Sequence, residues 1–166
     1  MSFKEISVKE LSGNPVEMIS RDWALVSAGD RGAWNTMTVS WGGVVELWNR
    51  DVAFIFIRPQ RYTYGFIENS DYFTLSFFGG KNREALALCG KVSGRDVNKA
   101  EKAGLTPVFD GNSVYIAEAE TVIVCRKIAF QDIDPKGFLD DKINTNYTSG
   151  DYHRMYVGEI IKVLTK

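Results

Sequence analysis

Histidine occurs once in these 166 residues and cysteine twice, and each scarcity closes off a class of chemistry. His153 alone, with Cys89 and Cys125 far apart and outside any Cys-x-x-Cys spacing, supplies too few ligands for structural zinc or a multi-histidine iron centre. No metal site is expected. The two cysteines also make no disulfide framework, so a reducing cytoplasm is the simplest setting, and neither has a neighbouring base to mark it as a nucleophile. Long apolar runs are missing too. The longest, Val52 to Ile57, is far too short to cross a bilayer, and Met1-Ser-Phe-Lys-Glu-Ile lacks an apolar signal core. A soluble cytoplasmic chain without membrane contact is expected. A formal charge of -1 gives no reason to expect nucleic-acid partners. There is no Gly-x-Gly-x-x-Gly, hence no Rossmann domain for NADH or NADPH, although a nicotinamide nucleotide that docks only transiently stays open as a reductant.

What is present reads as one globular domain over residues 1–166, with no Pro- or Ser-rich linker and no internal repeat. Hydrophobic residues make up 45% and aromatics 13%, a level that fits an aromatic pocket, an oligomer interface or a β-rich core. Apolar patterning predicts strands at Val16–Ile19, Ala24–Val26, Thr36–Trp41, Val44–Leu47, Val52–Ile57, Tyr72–Phe77, Ala117–Phe130 and His153–Ile160, with Gly42-Gly43 as a turn. Helices are predicted from Tyr62 to Ile67, from a capping Asn82 to Cys89 with a stop at Gly90, and after a capping-box variant Ser93-Gly-Arg-Asp96 as far as Gly104. Many strands with short helices between them imply a mainly β fold, a closed or partly closed barrel with Greek-key connections.

Two segments carry the chemistry. Asn35-Thr-Met-Thr-Val-Ser-Trp41 is a strand rich in small polar groups, the kind of edge that a flat heteroaromatic ring approaches closely. Arg58-Pro-Gln-Arg-Tyr-Thr63 sets two arginines, Tyr62 and a hydroxyl where a buried strand gives way to a helix, a seat for phosphate. Together they point to a phosphorylated aromatic cofactor, with flavin mononucleotide (FMN) the natural candidate. Taken singly, the strand also fits ordinary barrel β propensity and the arginines a solvated surface.

With Cys89-Gly-Lys-Val-Ser-Gly-Arg-Asp96, Lys99 and the closing His153-Arg-Met-Tyr-Val-Gly-Glu-Ile160, these segments resemble, in order, the flavin reductase-like family, and most nearly its flavoredoxin branch. The resemblance implies an FMN-binding split β-barrel that holds its cofactor noncovalently at a homodimer interface. It implies flavin contacts from Asn35, Thr36, Met37, Thr38, Ser40 and Trp41. Thr63 falls most clearly to the phosphate side, with Lys99 and either Arg58 or Arg61, the choice of arginine staying open; Tyr62 and Ser93 are further cofactor-binding positions, and Cys89 falls to the pocket lining. His153 matches a position that faces the flavin or an incoming nicotinamide, where it orients a reductant or stabilises negative charge. The implied activity is an FMN-dependent oxidoreductase that passes electrons from NADH, NADPH or a protein donor to flavin or a small acceptor. The alternative is a flavoredoxin-type carrier with permanently bound FMN and protein redox partners. The variable stretch Asp134 to Gly150 is expected to shape the substrate entrance.

Overall fold

The computed structural model describes residues 2–166. Ten strands and four short α-helices occur among them. The strands are β1 (Lys4–Ile6), β2 (Ala24–Gly29), β3 (Trp34–Val39), β4 (Gly42–Leu47), β5 (Arg50–Ile57), β6 (Tyr72–Phe77), β7 (Pro107–Asp110), β8 (Ser113–Ile116), β9 (Thr121–Asp132) and β10 (Arg154–Thr165). The helices are α1 (Pro15–Ser20), α2 (Tyr62–Glu68), α3 (Arg83–Lys91) and α4 (Lys99–Ala103). The main sheet runs β3-β2-β6-β9-β10-β5-β4, antiparallel throughout, with β1 added to β10. Strands β3 and β4 are chain neighbours joined only by Ser40 and Trp41, yet they lie at opposite ends of this path. The sheet therefore curls into a barrel with a seam between them, which is the expected mainly β split-barrel class.

Both faces of the central strands are covered, so their alternation produces two cores rather than one buried and one wet face. Val26, Met37, Ile55, Phe73, Ile123 and Tyr156 fill the barrel interior. Leu25, Leu86, Cys89, Ile116, Val122 and Leu164 form a second cluster outside it, under α3, α4 and the β7–β8 hairpin. Buried apolar area of this extent supplies the main driving force for folding. Strand β10 bulges at Gly158, where an added Cβ would lie 2.6 Å from Cys125 Cβ and from the Phe73 ring, so only glycine fits.

Several local expectations are corrected. Val16–Ile19 belongs to α1, because the Asn14 side chain accepts from the Val16 and Glu17 amides and Pro15 occupies the first helical position. Gly42 and Gly43 open β4 instead of turning, and an added Cβ at Gly42 would lie 2.4 Å from the Phe54 carbonyl oxygen. The reversal comes later, at Trp48-Asn49, both with positive φ as a two-residue hairpin requires. Ala117–Glu120 precedes β9 as a turn, and the β7–β8 hairpin was not anticipated. Helix α3 continues through Gly90 to Lys91, and Asn82 caps it without a side-chain bond. The cap of α4 is Asn98, not Ser93, whereas the left-handed stop at Gly104 is as expected.

Candidate functional site

Helix α4 starts at Lys99 behind the Asn98 cap, and that geometry sends the lysine stem inward, across the C-terminal end of α3 and onto β3. Lys99 is only 4% exposed. Its Nζ donates to the Thr36 carbonyl at 3.0 Å and the Cys89 carbonyl at 2.8 Å. Burial, aided by the nearby Arg61 charge, pulls its pKa down to about 8 against a small opposing effect of Cys89. Arg61, at the N-cap of α2, donates to the Gly90 carbonyl at 2.7 Å, and burial followed by the Arg58 charge lowers its pKa. Among the described residues neither cation forms an ion pair. A buried and a half-buried positive charge thus share one corner, each held by backbone carbonyls. Such an arrangement is costly until an anion arrives.

The same corner gathers Asn35 and Thr63. Asn35 Nδ2 donates to Thr63 Oγ1 at 2.9 Å, both side chains being buried. Accepting that bond leaves the Thr63 hydroxyl proton free to donate. Gly94 packs against Asn35 and Tyr62 so closely that a Cβ would sit 2.3 Å from Asn35 Oδ1 and 2.8 Å from the Tyr62 ring. Beside it opens a cavity of about 410 Å³ lined by Asn35, Thr36, Tyr62, Gly94, Arg95 and Lys99, among others. Arg95 was not singled out by the sequence reading, although it stands next to Ser93-Gly94. Its guanidinium lies 4.8 Å from the centre of the Tyr62 ring.

The remaining candidates disperse. Met37 lies in the barrel core, Thr38 donates to the Leu86 carbonyl on α3, and the Thr36 hydroxyl donates to the Val26 carbonyl at 3.0 Å. The hydroxyls of β3 are therefore spent on neighbouring elements, and Asn35 alone turns its side chain toward Thr63. Ser40 is half-buried in the seam. Ser93 Oγ accepts from the Arg95 amide at 3.2 Å, and burial raises the pKa of the Cys89 thiol. Arg58 is drawn away from the corner. It pairs with Asp151 at 2.5 Å, donates to the Asn146 carbonyl at 2.8 Å and lies over the Tyr147 ring. The segment Asp134 to Gly150 is thereby folded back onto the barrel.

His153 is buried just before β10, in an aromatic cluster. Its Nδ1 bonds the Tyr147 hydroxyl at 2.9 Å, and its ring centre lies 4.9 Å from that of Trp41, which is itself 42% exposed. Burial, with the Arg58 charge as a second cause, lowers the His153 pKa to about 4. The imidazole is consequently neutral near pH 7, which suits orientation by hydrogen bonding and removes it as a standing positive charge.

Comparison with known proteins places these features in a family. The family model described as flavin reductase like domain matches residues 17–166. An FMN-binding domain of a flavin reductases-like enzyme from Shewanella baltica superposes with a TM-score of 0.70 at 17% identity, covering 99% of this chain and 77% of that one. Flavoredoxin of Desulfovibrio vulgaris gives 0.68 at 22% identity, covering 98% and 76%. An NADH:FAD oxidoreductase of Streptomyces globisporus, solved with NAD and FAD fragments, gives 0.64 at 17% identity, covering 87% and 74%. No curated protein matches the chain. Among the described residues no helix is long and apolar enough to cross a membrane, and no cluster of side chains suits a metal ion.

Proposed function

The chain belongs to the flavin reductase like domain family, and from that premise we propose that it is a single-domain FMN-binding oxidoreductase. It passes electrons from a nicotinamide nucleotide or a protein donor to flavin or a small acceptor. The observation that supports this reading most is the cationic corner, where among the described residues Lys99 and Arg61 form no ion pair and lie beside the free donor of Thr63. A phosphate monoester is the anion that such a donor set fits. Lysine offers a point charge, arginine a planar fork and threonine one directed hydrogen bond. Gly94 packs directly on Asn35 and Tyr62 at the wall of the adjoining cavity, where no side chain would fit.

Bound FMN supplies the redox chemistry itself, and the chain supplies binding, orientation and electrostatics. Lys99 and Arg61 neutralise the phosphate, and Asn35 holds Thr63 so that its proton points outward. His153 stays neutral and offers a hydrogen bond near the exposed face of Trp41. Edge strand β4 leaves Val45 and Leu47 exposed, with Trp48 at its tip, and this apolar rim supports a homodimer. The likeness to flavoredoxin favours a second reading, a carrier whose FMN stays bound and exchanges electrons with redox proteins.

The purified protein is expected to be yellow and to release FMN on denaturation. Turnover of NADH and NADPH by the holoprotein, with and without added free flavin, separates the two readings. Nicotinamide oxidation supports the enzyme. Rapid exchange with a ferredoxin-type donor in its absence supports the carrier. A colourless protein that does not take up FMN refutes both.

A further inference from the structure

Tyr147 and His153 meet outside the cationic corner, in a cluster of aromatic rings. Tyr147 is 6% exposed, and its hydroxyl lies 2.9 Å from His153 Nδ1. That hydroxyl has no other partner among the described residues, so it donates, and the neutral imidazole carries its own proton on Nε2. Nε2 makes no hydrogen bond to the protein among the described residues, and no side-chain nitrogen or oxygen there is both buried and unbonded. It therefore reaches solvent. A histidine that served packing alone would have both ring nitrogens satisfied inside the fold. This one connects a buried phenol to water.

The rings continue on either side of the pair. Trp41, at the surface, lies 4.9 Å from the imidazole between ring centres, and the half-buried Tyr152 lies 4.8 Å from Tyr147. Tyr147 and His153 are 5.5 Å apart by the same measure. All three separations fall within the range of about 4.5–7 Å for aromatic rings in contact. The Arg58 guanidinium, paired with Asp151, lies 5.1 Å from the Tyr147 ring centre. Burial raises the Tyr147 pKa, so the phenol is protonated at rest. The fixed charge of Arg58 disfavours a second cation beside it. An electron drawn from Tyr147 must therefore leave with the phenolic proton, and His153 is the base in place to take it. Burial and the Arg58 charge, against a smaller effect of Asp151, hold the imidazole pKa at about 4, so the proton is passed on and not kept.

We propose that Tyr147 and His153 form a proton-coupled redox pair, which drains one oxidising equivalent that arrives at Trp41 or Tyr152. The oxidant is of the class of oxygen-centred radicals, strong one-electron acceptors. In the step the oxidant gains one electron, the Tyr147 O–H bond breaks and an N–H bond forms at His153 Nδ1. The Nε2 proton leaves to water. One electron and one proton thus leave the protein, and the equivalent is held as a neutral tyrosyl radical packed against Phe138 and Tyr152. A diffusible hydrogen-atom donor such as a thiol returns both and restores the pair. None of this requires a bound flavin, so the pair stands or falls independently of the cationic corner.

The test oxidises the purified protein with flash-generated ruthenium(III) tris-bipyridine and follows tryptophanyl and tyrosyl radicals by transient absorption and freeze-quench electron paramagnetic resonance. Flashes without the complex subtract any signal from bound flavin. All samples carry Trp48→Phe, which removes a more exposed competing indole. In this parent protein the tryptophanyl signal should decay into a tyrosyl signal, and the decay should slow in heavy water. Tyr147→Phe should lengthen the tryptophanyl lifetime about tenfold or more, while Tyr72→Phe at the start of β6 leaves it unchanged. His153→Gln keeps a hydrogen-bond acceptor but no base, and should lower the tyrosyl yield about tenfold. A tyrosyl signal in Tyr147→Phe equal to that of the parent overturns the proposal, as does an unaltered yield in His153→Gln. So does a parent decay that is equally fast in light and heavy water, a result that does not depend on either variant folding.

Discussion

Lys99→Met tests the cationic corner with the fewest confounding effects. In the folded protein the Lys99 pKa falls to about 8 from an ordinary value of 10.5. A shift of that size corresponds to about 3 kcal/mol of penalty for keeping a buried ammonium charged near pH 7. Methionine keeps most of the side-chain volume and removes the charge. It also deprives the Thr36 and Cys89 carbonyls of a donor, at about 1 kcal/mol each. The ligand-free variant should therefore be as stable as wild type, or more stable by about 1 kcal/mol. FMN affinity, measured by quenching of flavin fluorescence, should fall about 100-fold, because a charge-assisted bond worth about 3 kcal/mol is lost. Riboflavin, which has no phosphate, should bind both proteins alike.

The pH dependence has a definite sign. Phosphate raises the pKa of the lysine it contacts, so binding takes up a proton once the free protein has lost one. Wild-type affinity for FMN should hold below about pH 8 and then fall about tenfold per pH unit, while Lys99→Met lacks this limb. Equal losses of FMN and riboflavin binding, or an alkaline limb that persists in the variant, would refute the reasoning.

Three further predictions concern other parts of the molecule. The His153 pKa is lowered to about 4 from 6.5, so its contribution to stability is fully present above pH 6.5 and is lost as pH falls toward 4. Urea titrations at about pH 7 and pH 4.5 should show His153→Phe losing up to about 3 kcal/mol less than wild type, and equal losses would contradict the buried neutral imidazole. Arg58→Ala releases Asp151, the Asn146 carbonyl and the Tyr147 ring, so hydrogen exchange and proteolysis at 134–151 should accelerate while β5 remains protected. Gly94→Ala drives a methyl group against the buried Asn35 and against Tyr62, so FMN binding should weaken about tenfold and the thermal midpoint should fall as those side chains are displaced. A flavin affinity equal to wild type would show that Gly94 does not border the cofactor.

Much of the fold could be read from local pattern. Tyr72–Phe77 was bounded correctly because alternation and flanking polar residues agree there. The Val16–Ile19 strand failed because an apolar run was weighed above the Asn14-Pro15 start signal beside it. The β7–β8 hairpin was missed because its strands are four residues each, too short for periodicity to register. At the candidate site, Lys99 is legible only through the family resemblance, since a lysine in a short helix reads by pattern as solvated, and the fold sets it on β3 near the Asn35–Thr63 pair. The fate of Arg58 could not be foreseen, since its partner Asp151 lies 93 positions further along the chain. Nor could the neutrality of His153, which arises only when Trp41, Phe56 and Tyr147 close around it.

Strand β10 follows every other strand in the chain and pairs with β1, β5 and β9. Its bonds to β1 join Lys4 with Thr165, and those to β5 join Ile57 with Arg154. Contacts of such sequence separation form slowly, since the intervening loops must close first. During synthesis the earlier strands must therefore wait, with β5 and β9 lacking their common neighbour, until β10 leaves the ribosome. In that interval the emerging chain presents open sheet edges to whatever lies nearby, and the demand for a chaperone should be greatest then.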